Sequence, residues 1–121
     1  MTGIGIDAVE VDRFRRVLTR TPSVARRLFT DGERAAGARR RDPAQRLAAR
    51  FAAKEAVMKA LGVGLGAFSF QDVEVVNARS GKPELVLRGK AATLAAERGV
   101  AGWMLSLTHT ERTAQAVALA L

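Results

Sequence analysis

Asp7, Glu55 and Lys59 are the residues whose types and spacing could do chemistry. Asp7 ends the stretch Gly3-Ile4-Gly5-Ile6-Asp7, in which the two alternate residues before it are glycine. Glu55 and Lys59 lie four apart in Arg50-Phe51-Ala52-Ala53-Lys54-Glu55-Ala56-Val57-Met58-Lys59-Ala60-Leu61. On a helix they share a face. Mg²⁺ keeps an octahedral oxygen shell, held by one or two carboxylates and completed by phosphate oxygens and water. A nearby ammonium would meet the phosphate. The residues therefore point to a magnesium–phosphate site. Two plainer readings stand beside it. Glu55 and Lys59 also suit a surface i,i+4 ion pair worth about 0.2–0.5 kcal/mol, and Asp7 also suits a cap for the following helix.

Other chemistries find little support. There is no pair of histidines for zinc, no P-loop and no dinucleotide fingerprint. Gly3-Ile4-Gly5 lacks the third glycine and reads as strand. His109 is the single histidine, and no serine sits in a nucleophile-elbow context. The absence of cysteine removes disulfides and thiolate metal sites.

The elements that position these residues follow from periodicity. Residues 3–8 alternate with period two, placing Ile4 and Ile6 on one face and Gly3, Gly5 and Asp7 on the other. Glycines in a strand mark close approach by a ligand or another backbone, which leaves Asp7 over open space. Glu10 to Thr19 reads as a helix with Val11, Phe14 and Leu18 on one side and Arg13, Arg16 and Arg20 around the other. Thr21-Pro22-Ser23 breaks it, and a short helix follows from Val24 to about Phe29. Thr30 with Glu33 forms a capping box for a third helix through Ala38. After the Arg39-Arg40-Arg41-Asp42 loop, Pro43 suits the first turn of a long helix closed by Gly62. Leu47, Phe51 and Met58 form its apolar stripe, with Glu55 and Lys59 at the border. Lys54 falls on that stripe, where it either snorkels or meets a buried carboxylate.

Beyond the Gly62–Gly66 loop, Phe70 to Val76 alternates as a strand with Val73 and Val75 inward. Asn77 to Pro83 is rich in turn residues, and Glu84 to Arg88 returns. Lys90 to Arg98 is a short helix. Trp103 to Thr108 and Ala114 to Leu121 are the last strands. A strand, then helices, then a mostly β half reads as α+β.

A chain of 121 residues is expected to form one domain, residues 1–121, with a real core. Its 48% hydrophobic and 26% charged residues fit an ordinary globular protein. The net charge of +8, carried mostly by arginine, calls for an anionic partner: nucleic acid, a phosphorylated small molecule or an acidic protein. A non-enzymatic basic module for RNA or DNA is the rival reading. Only six residues are Phe or Trp and none is Tyr, which offers little stacking surface for single strands. No signal-peptide pattern opens the chain, and no apolar run approaches the roughly 20 residues that span a bilayer. A cytoplasmic protein without membrane contact is expected.

Three segments together resemble the holo-acyl-carrier-protein synthase family, the small 4′-phosphopantetheinyl transferases. Gly3-Ile4-Gly5-Ile6-Asp7, with Glu10 and Arg13 downstream, is similar to its first motif. Arg50 to Leu61 is similar to its second, and Ser106-Leu107-Thr108-His109-Thr110 to its third. Phe29-Thr30 with Glu33, Gly62-Val63-Gly64, Phe70-Gln71-Asp72-Val73 and Gly81-Lys82-Pro83 follow in order, so the resemblance covers essentially the whole chain.

The resemblance implies a small antiparallel sheet packed on a long central helix with short helices, assembled as a homotrimer with active sites at subunit interfaces. It implies transfer of 4′-phosphopantetheine from coenzyme A to a serine of apo-acyl carrier protein, releasing adenosine 3′,5′-bisphosphate and supporting fatty acid biosynthesis. By position, Asp7 and Glu55 would hold Mg²⁺, and Lys59 would contact the pyrophosphate. Arg50 and His109 would approach the 3′-phosphate of coenzyme A. Gly81, Lys82 and Pro83 would frame the adenine, with Ser106 and Thr108 supporting the same pocket. The serine proton would go to Glu55 or to a water held through Asp7. Arg13, Arg16, Arg20 and Arg27, flanking the apolar Phe14 and Val17, would dock the acidic carrier protein. Residues 36–44 depart most from the family pattern, and the resemblance assigns Arg39–Arg41 no role.

Overall fold

The computed structural model describes residues 2–121. Its organising element is helix α4 (Pro43–Ala60), with Asp42 as N-cap and Pro43 in its first turn. Twelve of its eighteen residues are buried. The helix is therefore enclosed on most sides, where the sequence suggested one apolar stripe. Small side chains permit this. Ala48, Ala49, Ala52, Ala53 and Ala56 are wholly buried, and alanine is the strongest helix former, with no side-chain entropy to lose.

Ahead of α4 come strand β1 (Gly3–Glu10) and helices α1 (Val11–Arg20), α2 (Ser23–Leu28) and α3 (Asp31–Ala38). After it come a single 3₁₀ turn (Phe70–Asp72), strands β2 (Val73–Asn77) and β3 (Pro83–Leu87), helix α5 (Gly89–Glu97), and strands β4 (Trp103–His109) and β5 (Thr113–Ala120). The first residues of the expected Phe70–Val76 strand thus form the 3₁₀ turn. Among the described residues no helix is long and apolar enough to cross a membrane.

The strands form two antiparallel sheets, β1-β5-β4 and the hairpin β2-β3. Together with the helices they make an α+β fold. The larger sheet lies on α4 through its smallest residues. Ala114, Ala116, Ala118 and Ala120 of β5 are buried. A Cβ on Gly3 would stand 2.0 Å from the Ala60 carbonyl oxygen. The glycines of β1 therefore admit the backbone of α4 and leave no ligand space there. Strand β1 runs on to Glu10, so Asp7 does not cap α1, whose N-cap is Glu10.

Because the glycine face turns inward, Ile4 and Ile6 turn outward, 59% and 64% exposed. Cross-strand register extends the strip. Ile4 pairs with Leu119 and Leu119 with Met104, while Ile6 pairs with Val117 and Val117 with Ser106. The sheet therefore carries an uncovered apolar face.

A second cluster joins α1 to α4 through Val11, Phe14, Phe29 and Leu47. Phe14 and Phe51 stack at 5.2 Å between centroids, and Phe51 and Phe70 at 5.6 Å. Lys54 is fully buried and does not snorkel. Its Nζ donates to Glu33 Oε1 at 2.8 Å, to the Phe70 carbonyl at 3.0 Å and to the Val73 carbonyl. Glu33 completes the capping box with Thr30, and its Oε2 accepts from the Val75 N–H at 2.9 Å. One carboxylate thereby joins α3, α4 and β2. Burying an ion pair is tolerable when further hydrogen bonds satisfy both partners.

Candidate active site

Two clefts flank α4. The first, about 600 Å³, is lined by Asp7 and Glu55, by Arg13, Phe14 and Val17 of α1, and by Phe51, Leu65 and Phe70. Asp7 is the last inward-facing residue of β1 before Val9, beyond the glycines that let the strand touch the helix. Lys59 does not pair with Glu55. Its Nζ donates to Asp7 Oδ1 at 3.1 Å and to the Ile6 carbonyl at 3.0 Å. The helix-surface ion pair is thus replaced by one that bridges α4 and β1. Burial raises the Glu55 carboxyl above its ordinary range, and the negative charge of Asp7 raises it further, while Lys59 pulls it down. Two carboxylates close enough for one to raise the proton affinity of the other form a seat for a cation. Among the described residues no third Asp, Glu, His or Cys completes an all-protein metal site. A cation held here would take its remaining ligands from water and substrate, as Mg²⁺ does.

The second cleft, about 550 Å³, is lined by Arg50, His109, Gly81 and Pro83 together with Arg40, Arg41 and Arg46. Arg50 is buried, and its Nη2 donates to Asn77 Oδ1 at 2.9 Å. Burial first, then the neighbouring Arg46, pushes Arg50 down to about 10. It stays charged at neutral pH. Arg46 is lowered as well, by burial and then by Arg40. Guanidinium groups crowded this way favour an anion between them. Gly81, at φ +89°, allows the tight turn that brings Pro83 to the cleft. Lys82 is exposed and does not line it.

Ser106 and Thr108 do not join this cleft within one chain. Strand alternation turns Leu107 and His109 toward it and sends Ser106 and Thr108 to the outer face of the sheet. There they line a groove with Ile6, Gln115 and Val117. Nor do Asp7 and Glu55 share a cleft with Arg50 and His109. Glu55 follows Arg50 by five residues on α4, which places it about 140° around the helix.

On α1, Arg13, Arg16 and Arg20 are exposed, as is Arg27 on α2. Val17 is 41% exposed, but Phe14 is only 6% exposed. Phe14 packs edge-on to Phe29 and stacks on Phe51. It shapes the floor of the first cleft and does not project as a surface contact.

The family model described as the 4′-phosphopantetheinyl transferase superfamily matches residues 3–120. The chain belongs to this superfamily. Within the superfamily it is 49% identical over 120 residues to a holo-[acyl-carrier-protein] synthase of Frankia alni, covering 99% of this chain and 97% of the relative. It is 42% identical over 118 residues to one of Caldanaerobacter subterraneus, covering 98% and 93%. The crystal structure of holo-[acyl-carrier-protein] synthase from Neisseria meningitidis superimposes with a TM-score of 0.91 at 33% identity, covering 100% of this chain and 98% of that one. The Helicobacter pylori synthase in complex with coenzyme A gives 0.86 at 26% identity, covering 98% and 99%.

In this superfamily member, Arg40, Arg41, Gln45, Arg46 and Asn77 also line the basic cleft, a place that the sequence assigned to none of them. The Arg39–Arg41 run was the available signal. Its placement depends on α3 ending at Ala38 and Asp42 capping α4, which turns the run toward His109.

Proposed function

We propose that this chain is a holo-acyl-carrier-protein synthase that moves 4′-phosphopantetheine from coenzyme A to a serine of apo-acyl carrier protein. The observation that carries the reading is the pairing of a carboxylate cleft at Asp7 and Glu55 with an arginine-lined cleft at Arg50 and His109. Near-full-length similarity to named synthases supports it. The serine oxygen attacks the phosphorus that bears pantetheine. The bond from that phosphorus to the bridging oxygen breaks, and adenosine 3′,5′-bisphosphate leaves with the electron pair. The serine proton goes to Glu55 or to a water held through Asp7. Lys59, held beside Asp7, offsets charge growing on the pyrophosphate. Asp7 and Glu55 are the residues that would hold Mg²⁺, which when bound supplies charge stabilisation at the pyrophosphate oxygens.

The 3′-phosphate and adenine of coenzyme A occupy the second cleft, against Arg50, His109, Gly81 and Pro83. The two clefts open on different sides of α4, so the catalytic unit takes one cleft from each of two neighbouring copies. The uncovered Ile4, Ile6, Met104 and Val117 face supplies the contact between copies, and a trimer is the assembly. Ser106 and Thr108 on that face reach a neighbour's site. Arg13, Arg16, Arg20 and Arg27, with Val17, dock the acidic carrier next to Glu55. The enzyme acts in the cytoplasm, in fatty acid synthesis.

The test is to incubate the protein with coenzyme A, Mg²⁺ and apo-carrier and to weigh the carrier. A mass gain of one phosphopantetheine is expected. Unmodified carriers across a panel of fatty-acid and polyketide types overturn the reading.

A further inference from the structure

The lining of the basic cleft contains Arg40, Arg41, Arg46 and Arg50 but a single carboxylate, Asp42. That carboxylate has a structural duty, since it caps α4 by accepting from the Gln45 N–H at 3.4 Å. It also stands where an anion would be repelled. Arg15 reaches it from α1, outside the cleft lining, with Nη2 at 2.6 Å from Asp42 Oδ2. The other end of the guanidinium is held by Asp12, Nη1 to Oδ1 at 2.5 Å. Gln45 in turn donates to the Thr110 carbonyl at 2.9 Å, beside His109. A short chain of polar contacts therefore runs from α1 to the wall of the cleft.

We infer that Arg15 is a positioning and specificity residue that neutralises Asp42, so that the basic cleft accepts a phosphomonoester next to the cap of α4. This rests on the reading of that cleft as the seat of the coenzyme A 3′-phosphate. Arg15 touches no substrate. It acts through the charge of Asp42 and keeps the cap carboxylate turned away from the anion. Its effect therefore scales with the charge on the ligand's 3′ position.

The experiment is titration calorimetry of the full-length protein with adenosine 3′,5′-bisphosphate and with adenosine 5′-monophosphate. Arg15→Ala should weaken the bisphosphate about three- to tenfold, as one unscreened charge across a partly solvated cleft would, and should change the monophosphate less than twofold. Arg15→Lys should stay near wild type. Asp42→Asn keeps a good N-cap and should bind the bisphosphate at least as tightly as wild type. Arg15→Ala/Asp42→Asn should recover what Arg15→Ala loses. Equal losses for both ligands, or no recovery in the double variant, overturn the inference, because a merely structural role predicts them. If Arg15→Ala damages folding, Asp42→Asn alone decides, since weaker bisphosphate binding there contradicts repulsion by Asp42. Wild-type protein that binds the two nucleotides equally overturns the 3′-phosphate reading itself. A variant effect absent against normal wild-type binding overturns only the role of Arg15.

Discussion

A Cβ placed on Gly5 would stand 1.9 Å from the carbonyl oxygen of Ala56. That Cβ would be fixed to the backbone of β1 and the oxygen belongs to the backbone of α4, both held by their own hydrogen bonds, so neither can give way cheaply. Gly5→Ala should therefore cost about 3 kcal/mol or more, at or above the upper end of ordinary overpacking. Urea unfolding of the variant measures this, and a loss below about 1 kcal/mol would mean that the strand and α4 separate easily. Separation would also move Asp7 away from Glu55.

The Glu55 carboxyl is raised by burial and by Asp7 against the pull of Lys59. A raised value means that the folded chain holds this proton more tightly than the unfolded chain. The stability it contributes is full below the ordinary carboxylate range and is lost as pH rises through the raised folded value. Glu55→Gln removes that penalty and should melt about 1–3 °C higher at neutral pH. Turnover should fall about 10²-fold or more with the loss of the carboxylate. In metal-free protein, Asp7→Asn should lower the Glu55 titration and Lys59→Met should raise it. Carboxyl chemical shifts followed against pH read both signs, and a reversal of either contradicts the coupling.

Lys54 and Glu33 form a buried pair whose loss is asymmetric. Lys54→Met leaves a buried carboxylate without its cation and should destabilise the fold by about 3–5 kcal/mol. Adding Glu33→Gln removes the stranded charge and keeps an acceptor for one of the Thr30 and Val75 N–H groups, so part of the loss should return. Chemical denaturation of the single and double variants makes the comparison. Additive losses would show that the two side chains act independently.

Arg13 lines the carboxylate cleft from α1 without an ion-pair partner among the described residues. Arg13→Glu should raise KM for the carrier about tenfold and flatten its dependence on salt, as expected for an interface charge that steers encounter. The dissociation constant for coenzyme A should not move. A fall in coenzyme A affinity instead would take Arg13 out of the docking surface.

Ile6 is 64% exposed beside Val117 on the outer face of the sheet. Ile6→Lys places a charge in the proposed contact between copies. Light scattering should then show monomers, and activity should fall with assembly. A wild type that is already monomeric at micromolar concentration, or a charged variant that remains trimeric, rules out this face as the contact.

Much of the fold was legible because local rules and packing agree. The Thr30–Glu33 box, the Pro43 start and the Gly62 stop of the long helix need only neighbouring residues. What was not legible depends on which side of an element meets a partner. Period two groups Ile4 with Ile6 but does not say which face turns inward. The answer lies with Ala56 and Ala60, more than fifty residues away. The same parity separates Ser106 and Thr108 from His109, which adjacency in sequence conceals. Lys59 reads as a partner for Glu55 from helical spacing alone, until β1 brings Asp7 within reach. Of the site, the individual residues were readable, while their division between two clefts required the crossing of β1 over α4.

The contact between β5 and α4 is made by Ala114, Ala116, Ala118 and Ala120, so the interior here is defined by what is missing from the side chains. Such a seam tolerates substitution in one direction only. At the even positions of β5 nearly every replacement adds volume, whereas at Val117 and Leu119 replacements alter an outward-facing surface. Sequence drift along this strand should therefore be recorded with a stride of two, the inner residues confined to the smallest side chains and the outer ones free to change in step with whatever lies against them.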